Sequence, residues 1–163
     1  MSDTAIATPL DGAACAAKAR SIAADEAAWR PHVRHETGQR HYHRLERNDA
    51  YEAYVISWVD DHDTGFHDHD VSAGGVHVIE GGIHEERLGF ARGHVERVVG
   101  PGETIEFGPS YIHRFRPADG VPTISIHVYS PPLRTMGSYY EGPDGELVRI
   151  PIDGDEELVN LTA

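Results

Sequence analysis

The residue types in this chain best suited to chemistry are its histidines, and their spacing suggests a metal site. In Gly65-Phe66-His67-Asp68-His69-Asp70 an extended backbone would put alternate side chains on one face, so that His67 and His69 point the same way and can grip one cation. With 12 histidines in 163 residues, roughly one such pair is expected by chance, and His41-x-His43 is a second, so the surroundings must decide. They are specific. The pair runs into Ser72-Ala73-Gly74-Gly75 and an apolar run, Val76 to Ile79. Further on, Pro101-Gly102 and the Gly108-Pro109 turn deliver His113 onto the start of another run. In Thr123-Ile124-Ser125-Ile126-His127-Val128-Tyr129 one face is Thr, Ser, His, Tyr and the other Ile, Ile, Val. Such a strand ordinarily turns its aliphatic face to the core and its polar face to water. The alternative is a polar-lined pocket, in which substrate and ordered water satisfy the Ser125-His127-Tyr129 row.

These residues need a scaffold of short strands. Residues 10–30 are alanine-rich, with Cys15, Ala19, Ile22 and Trp29 at helical spacing and Pro31 as a stop, which predicts an amphipathic helix. Cys15 falls on its apolar stripe and reads as a small core residue. Residues 32–49, crowded with His32, His35, His41, His43, Arg34, Arg40, Arg44 and Arg47, read as a solvated connection. From Glu52 onward, β-rich runs bounded by Gly, Pro and Asp fall at about 52–59, 75–80, 84–89, 93–99, 103–107, 111–116, 123–130 and 146–152. Clear strands after one helix predict an all-β domain with a helical preface.

Length and charge narrow the function classes. The 163 residues fit one domain with a real core. A net charge of −13 argues against nucleic acid or an anionic membrane as partner, because an acidic surface cannot neutralise phosphate. A single cysteine excludes an internal disulfide, and no apolar run approaches a membrane span, so the cytoplasm is the expected location.

Taken together, the His-x-His, the Gly-rich turns and Pro-Gly-x(6)-Pro-x(3)-His resemble the two motifs of the cupin superfamily. That resemblance implies a double-stranded β-helix barrel: one cupin domain over 1–163, with the helix at about 10–30 and the barrel at about 40–155. Many cupins add a glutamate to three histidine ligands, and Gly74 stands where that acid would be. Within cupins the chain is most similar to the cysteine dioxygenase family, in His67-Asp68-His69 followed by Ser72, and above all in Ser125-Ile126-His127-Val128-Tyr129-Ser130-Pro131-Pro132. The resemblance implies Fe(II) on His67, His69 and His113, with His77, His84, His94 and the histidines of 32–43 outside the ligand set. It implies Ser125, His127 and Tyr129 as a catalytic row. Tyr42-His43-Arg44 matches a Tyr-x-Arg whose arginine holds the substrate carboxylate, although Arg40 and Arg47 stand close by. Glycine at position 74 leaves no sulfur to crosslink to Tyr129, and Phe115-Arg116-Pro117 lacks the asparagine that many cupins carry after this histidine.

Three neutral imidazoles would leave Fe(II) its full double charge, which favours a thiolate ligand. The implied activity is dioxygenation of a small thiol such as L-cysteine by a monomer, with the thiol and dioxygen as partners. The same chemistry on 3-mercaptopropionate or ergothioneine, and a non-catalytic metal-binding cupin, are the competing expectations.

Overall fold

The computed structural model describes residues 7–89 and 93–161. Asp11 opens the first helix by accepting the Ala14 N–H on its carboxylate, 2.8 Å away, and α1 runs Gly12–Ala23. The predicted helix over 10–30 is not continuous. It breaks at Ala24–Asp25, resumes as one turn, α2 (Glu26–Trp29), and ends in a 3-10 turn containing Pro31. The break lets the Trp29 indole donate back to the Ala23 carbonyl (3.1 Å) and join the apolar cluster beneath α1.

Among the described residues eleven strands follow: β1 (His41–Arg47), β2 (Glu52–Trp58), β3 (His67–Asp68), β4 (Ala73–Glu80), β5 (Ile83–Gly89), β6 (Gly93–Val99), β7 (Thr104–Phe107), β8 (His113–Pro117), β9 (Thr123–Ser130), β10 (Thr135–Glu141) and β11 (Leu147–Asp153). They form a five-stranded sheet in the order β1-β2-β9-β4-β7 and a six-stranded sheet in the order β11-β10-β3-β8-β5-β6. All pairings are antiparallel. The expected solvated connection over 32–49 is corrected in its second half, which is edge strand β1. Its polar composition hides it, because an edge strand leaves much of its surface in water. Strand β10, with Gly137 and Ser138 at its centre, was not among the predicted runs either, whereas β3 falls where the His-x-His was expected to be extended.

Strand β9 lies in the middle of its sheet, and all eight of its residues are buried. Its aliphatic face, Ile124, Ile126 and Val128, packs with Ala53 and Val55 against Cys15, Ala19 and Ile22 of α1. Its polar face turns into the barrel, toward Trp58, Val76, Ile105, Phe107 and Phe115. Of the two readings of this strand, the polar-lined interior is the one the fold adopts. The helix can sit so close because Gly75 has no side chain: a Cβ there would lie 2.3 Å from the Ala16 nitrogen. Cys15 is fully buried, and burial, aided by Asp11, pushes its thiol up to about 12, so it serves as core rather than as a nucleophile. No described helix is long and apolar enough to cross a membrane.

Candidate metal centre

The triad is assembled by register. His67 of β3 stands directly opposite His113 of β8, and His69 follows two positions on, on the same face. All three rings are buried, with centroids 4.7, 4.8 and 5.3 Å apart, and one nitrogen from each lies within 4.8 Å of the others. Their tautomers can be assigned from their partners. A carbonyl only accepts, so His67 donates its Nδ1–H to the Gly65 carbonyl at 3.0 Å, leaving the Nε2 lone pair for the cluster. His113 likewise donates Nδ1–H to the buried Glu85 carboxylate at 3.0 Å. Its Nε2, and Nδ1 of His69, are buried without a hydrogen-bond partner among the described residues. Burial first, and neighbouring imidazoles second, hold His67 and His69 well below their ordinary pKa. Burial lowers His113 too, against the opposing pull of Glu85. Neutral, buried imidazoles with one nitrogen from each ring brought within 4.8 Å of the others are what a transition-metal ion needs, so the donor set fits one.

Beside the triad runs the polar row of β9. Trp58 Nε1, a donor only, gives its hydrogen to Ser125 Oγ at 2.9 Å. Ser125 Oγ lies 2.7 Å from His127 Nε2, and His127 Nδ1 lies 3.0 Å from the Tyr129 hydroxyl. Burial and the nearby Arg40 push His127 down to about 3, so it is neutral near pH 7 and holds one ring proton. The buried serine hydrogen has His127 Nε2 as its acceptor, which places the histidine proton on Nδ1, donated to Tyr129. Tyr129 therefore keeps its own O–H free, and its ring centroid is 4.8 Å from that of His69.

Tyr129 also lines a small cavity of about 60 Å³, together with Arg40, Tyr42, Tyr54, Leu133 and the Gly154–Leu158 segment, among others. The cross-strand register puts Tyr42 and Arg44 on the same face as Tyr54 and His127. The Tyr42 hydroxyl donates to the Asp155 carbonyl at 2.9 Å. The Arg44 side chain is half exposed, 3.9 Å from Glu52, and does not line the cavity. Arg40 does: its guanidinium is buried over the Trp58 ring, donates to the Leu158 carbonyl at 3.0 Å, and leaves Nε without a partner among the described residues.

The model of the family "cysteine dioxygenase type I" matches residues 9–142. This chain belongs to that family. Solved structures add the fold alone. TT1209 from Thermus thermophilus superposes with a TM-score of 0.56 at 14% identity, over 63% of this chain and 93% of that one. A Klebsiella pneumoniae protein with a double-stranded β-helix domain gives 0.55 at 13%, over 74% and 91%. A cupin superfamily protein from Desulfitobacterium hafniense gives 0.51 at 9%, over 60% and 82%.

In this member of the cysteine dioxygenase family the missing acid at position 74 has a steric cause. A Cβ on Gly74 would lie 2.2 Å from Cζ of Phe107, and the Phe107 ring stacks on His69 at 4.9 Å. Neither a glutamate nor a cysteine fits unless that ring moves. Phe115, two residues after His113 on β8, packs its ring 4.3 Å from that of His113. Two supporting groups were missed in the sequence. Glu85 holds His113, and its inward direction follows only from the pairing of β5 with β8. Asp68, between the two histidines, is buried; it accepts from both Arg149 Nε (2.8 Å) and Arg149 Nη2 (2.9 Å), and from the Tyr139 hydroxyl. Those donors more than offset burial and hold its carboxyl far below the usual range. A carboxylate inside a His-x-His was the available signal.

Proposed function

We propose that the protein is a mononuclear non-haem Fe(II) thiol dioxygenase acting on L-cysteine and giving the sulfinic acid. The observation that carries this reading is the free Tyr129 hydroxyl, held by His127 and Ser125 beside three neutral imidazoles. His67, His69 and His113 would hold the iron, which would supply dioxygen activation and the charge that deprotonates the thiol. The balance needs no outside reductant: RSH + O2 gives RSO2H, with sulfur losing four electrons and dioxygen gaining four.

The chain's own residues orient and position. Ser125 fixes the His127 tautomer, His127 holds the Tyr129 oxygen, and Tyr129 donates its hydrogen bond to substrate or dioxygen. Burial keeps Tyr129 a phenol by pushing its pKa above the ordinary value. Arg44, at the open edge beside Tyr42, clamps the substrate carboxylate through its planar fork. The buried Arg40 in the cavity lining favours a second reading, the same chemistry on another thiol acid such as 3-mercaptopropionate, whose carboxylate Arg40 would hold in place of Arg44.

The test is oxygen consumption by the iron-loaded protein over a panel of L-cysteine, cysteamine, 3-mercaptopropionate and ergothioneine, with 18O2 tracing into product. The expected result is cysteine-dependent uptake with both labelled atoms in the sulfinate. Uptake only with 3-mercaptopropionate transfers the assignment to the second reading. No uptake with any thiol, despite stoichiometric iron, leaves a non-catalytic metal-binding protein.

A further inference from the structure

The β5–β6 hairpin carries a second set of metal-type donors on the opposite face of the sheet from the triad. Alternation along β5 turns Glu85 toward His113 and therefore His84 and Glu86 outward. The register sets Glu86 opposite Glu96, and His94 opposite Leu88, the next outward position. Nε2 of His94 lies 2.9 Å from Glu96 Oε1 and 3.5 Å from Glu86 Oε2, and one ligand atom from each of the three residues lies within 4.8 Å of the others. The other Glu96 oxygen is 3.3 Å from Nε2 of His84. Donors spaced tetrahedrally around an ion at about 2.0–2.1 Å stand roughly 3.3 Å apart, and the separations of neighbouring donors here bracket that value.

Two further features point to a ligand. Glu86 is buried, and its Oε1 is taken by Arg116 at 2.8 Å and by Arg114 at 3.5 Å. That anchoring leaves Oε2 aimed at His94, in the way outer partners orient a ligating carboxylate. His84, four-fifths buried, has its Nδ1 enclosed with no hydrogen-bond partner among the described residues. That nitrogen lies 3.8 Å from Glu86 Oε1 while Nε2 of the same ring faces Glu96, so His84 spans the two carboxylates that the site would use.

We propose that Glu86, His94 and Glu96, with His84 buttressing Glu96, form a second divalent-cation site, suited to zinc, on the outer face of the barrel. One imidazole and two carboxylates are a borderline nitrogen and oxygen set that suits zinc better than calcium or magnesium. A cation there ties the edge strand β6 to β5, the strand that supplies Glu85 to His113. The proposal does not rest on the iron assignment.

Iron-loaded protein, kept anaerobic so that the triad stays filled, is dialysed against zinc and analysed for both metals. The expected result is one zinc per chain in addition to iron. His94→Ala and Glu96→Gln should each weaken zinc at least tenfold while keeping the iron, and His84→Ala should weaken it less. Zinc that displaces iron, no zinc beyond the iron, or undiminished zinc in the His94→Ala and Glu96→Gln proteins each overturns the proposal. Should the chain take up no iron, zinc is titrated directly: two equivalents in the wild type and one in His94→Ala support the site, and equal stoichiometry overturns it.

Discussion

Glu85 has the most exposed consequence of any residue in the site, because it touches the triad through a single bond. It accepts from His113 Nδ1 at 3.0 Å, pairs on its other oxygen with Arg97, and lies 3.4 Å from the Tyr111 hydroxyl. The carboxylate is 1% exposed, so it is a buried acceptor that the His113 ring cannot trade for bulk water while the site is intact. Glu85→Ala leaves a buried N–H without an acceptor and frees the His113 ring to turn its lone pair away from His67 and His69. Loss of such an outer partner typically weakens metal binding about 10- to 100-fold, or about 1.4–2.8 kcal/mol. Glu85→Gln keeps the shape and an acceptor oxygen but gives up the charge and faces Arg97 with a donor. It should fall at the lower end of that range and Glu85→Ala at the upper. Arg97 itself is half exposed, and an exposed pair contributes about 0–1 kcal/mol, so Arg97→Gln should weaken iron less than about fivefold. Competition against a calibrated chelator, with unfolding midpoints measured alongside, gives the three affinities. Wild-type iron affinity in Glu85→Ala, or an Arg97→Gln loss as large as that of Glu85→Ala, refutes the account of Glu85 as the group that aims His113.

Other outcomes follow from the same geometry. His113→Ala should lose stoichiometric iron by metal analysis; retention would remove His113 from the ligand set. Tyr129→Phe should keep iron and unfolding midpoint but lower kcat, and intact mass should show no loss of two hydrogens, since Gly74 offers no sulfur; unchanged turnover would reduce the β9 row to a structural role. Arg44→Ala should raise KM for L-cysteine about ten- to a hundredfold, from a charge-assisted bond of roughly 1.5–3 kcal/mol, and affect cysteamine far less; if Arg40→Ala alone shows this selectivity, the clamp is Arg40. Because burial lowers His127 to about 3 from an ordinary value near 6.5, the unfolded chain takes up its proton first on acidification. The stability of the iron-free protein should thus be full above about pH 6.5 and fall by up to about 1.4 kcal/mol per unit from this group as pH drops toward 3. Denaturant midpoints unchanged between pH 7 and 5 would contradict it.

Much of this site was legible because it is local. His67 and His69 declare themselves two apart, and the Ser125-His127-Tyr129 face is visible in seven letters. What stayed hidden is what only cross-strand register creates. Glu85 and Glu86 are adjacent letters, and nothing in the chain says that the first holds His113 and the second faces outward. Arg40 and Arg44 look alike in sequence, yet the first is buried over Trp58 and the second is half in water. Strand β1 was missed because an edge strand needs no apolar alternation, and the break after Ala23 because alanine-rich sequence carries no signal that the chain must turn to seat Trp29.

The double burial of β9 divides labour between its two surfaces. Ile124, Ile126 and Val128 under α1 bring about 1.5–3 kcal/mol each of burial without occupying any of the interior. The inner positions thereby carry less of the task of holding the molecule together, with Tyr129 alone of the row belonging to the barrel's apolar cluster. Enzymes commonly face a conflict between stability and reactivity. Here positions 125, 127 and 129 can be chosen for reactivity, within the limits set by the buried hydrogen bonds from Trp58 to Ser125 and along the row to Tyr129. By the same logic, damage to the helix surface, at Cys15, Ala19 or Ile22, would lower the amount of folded protein while leaving the chemistry of each surviving molecule intact.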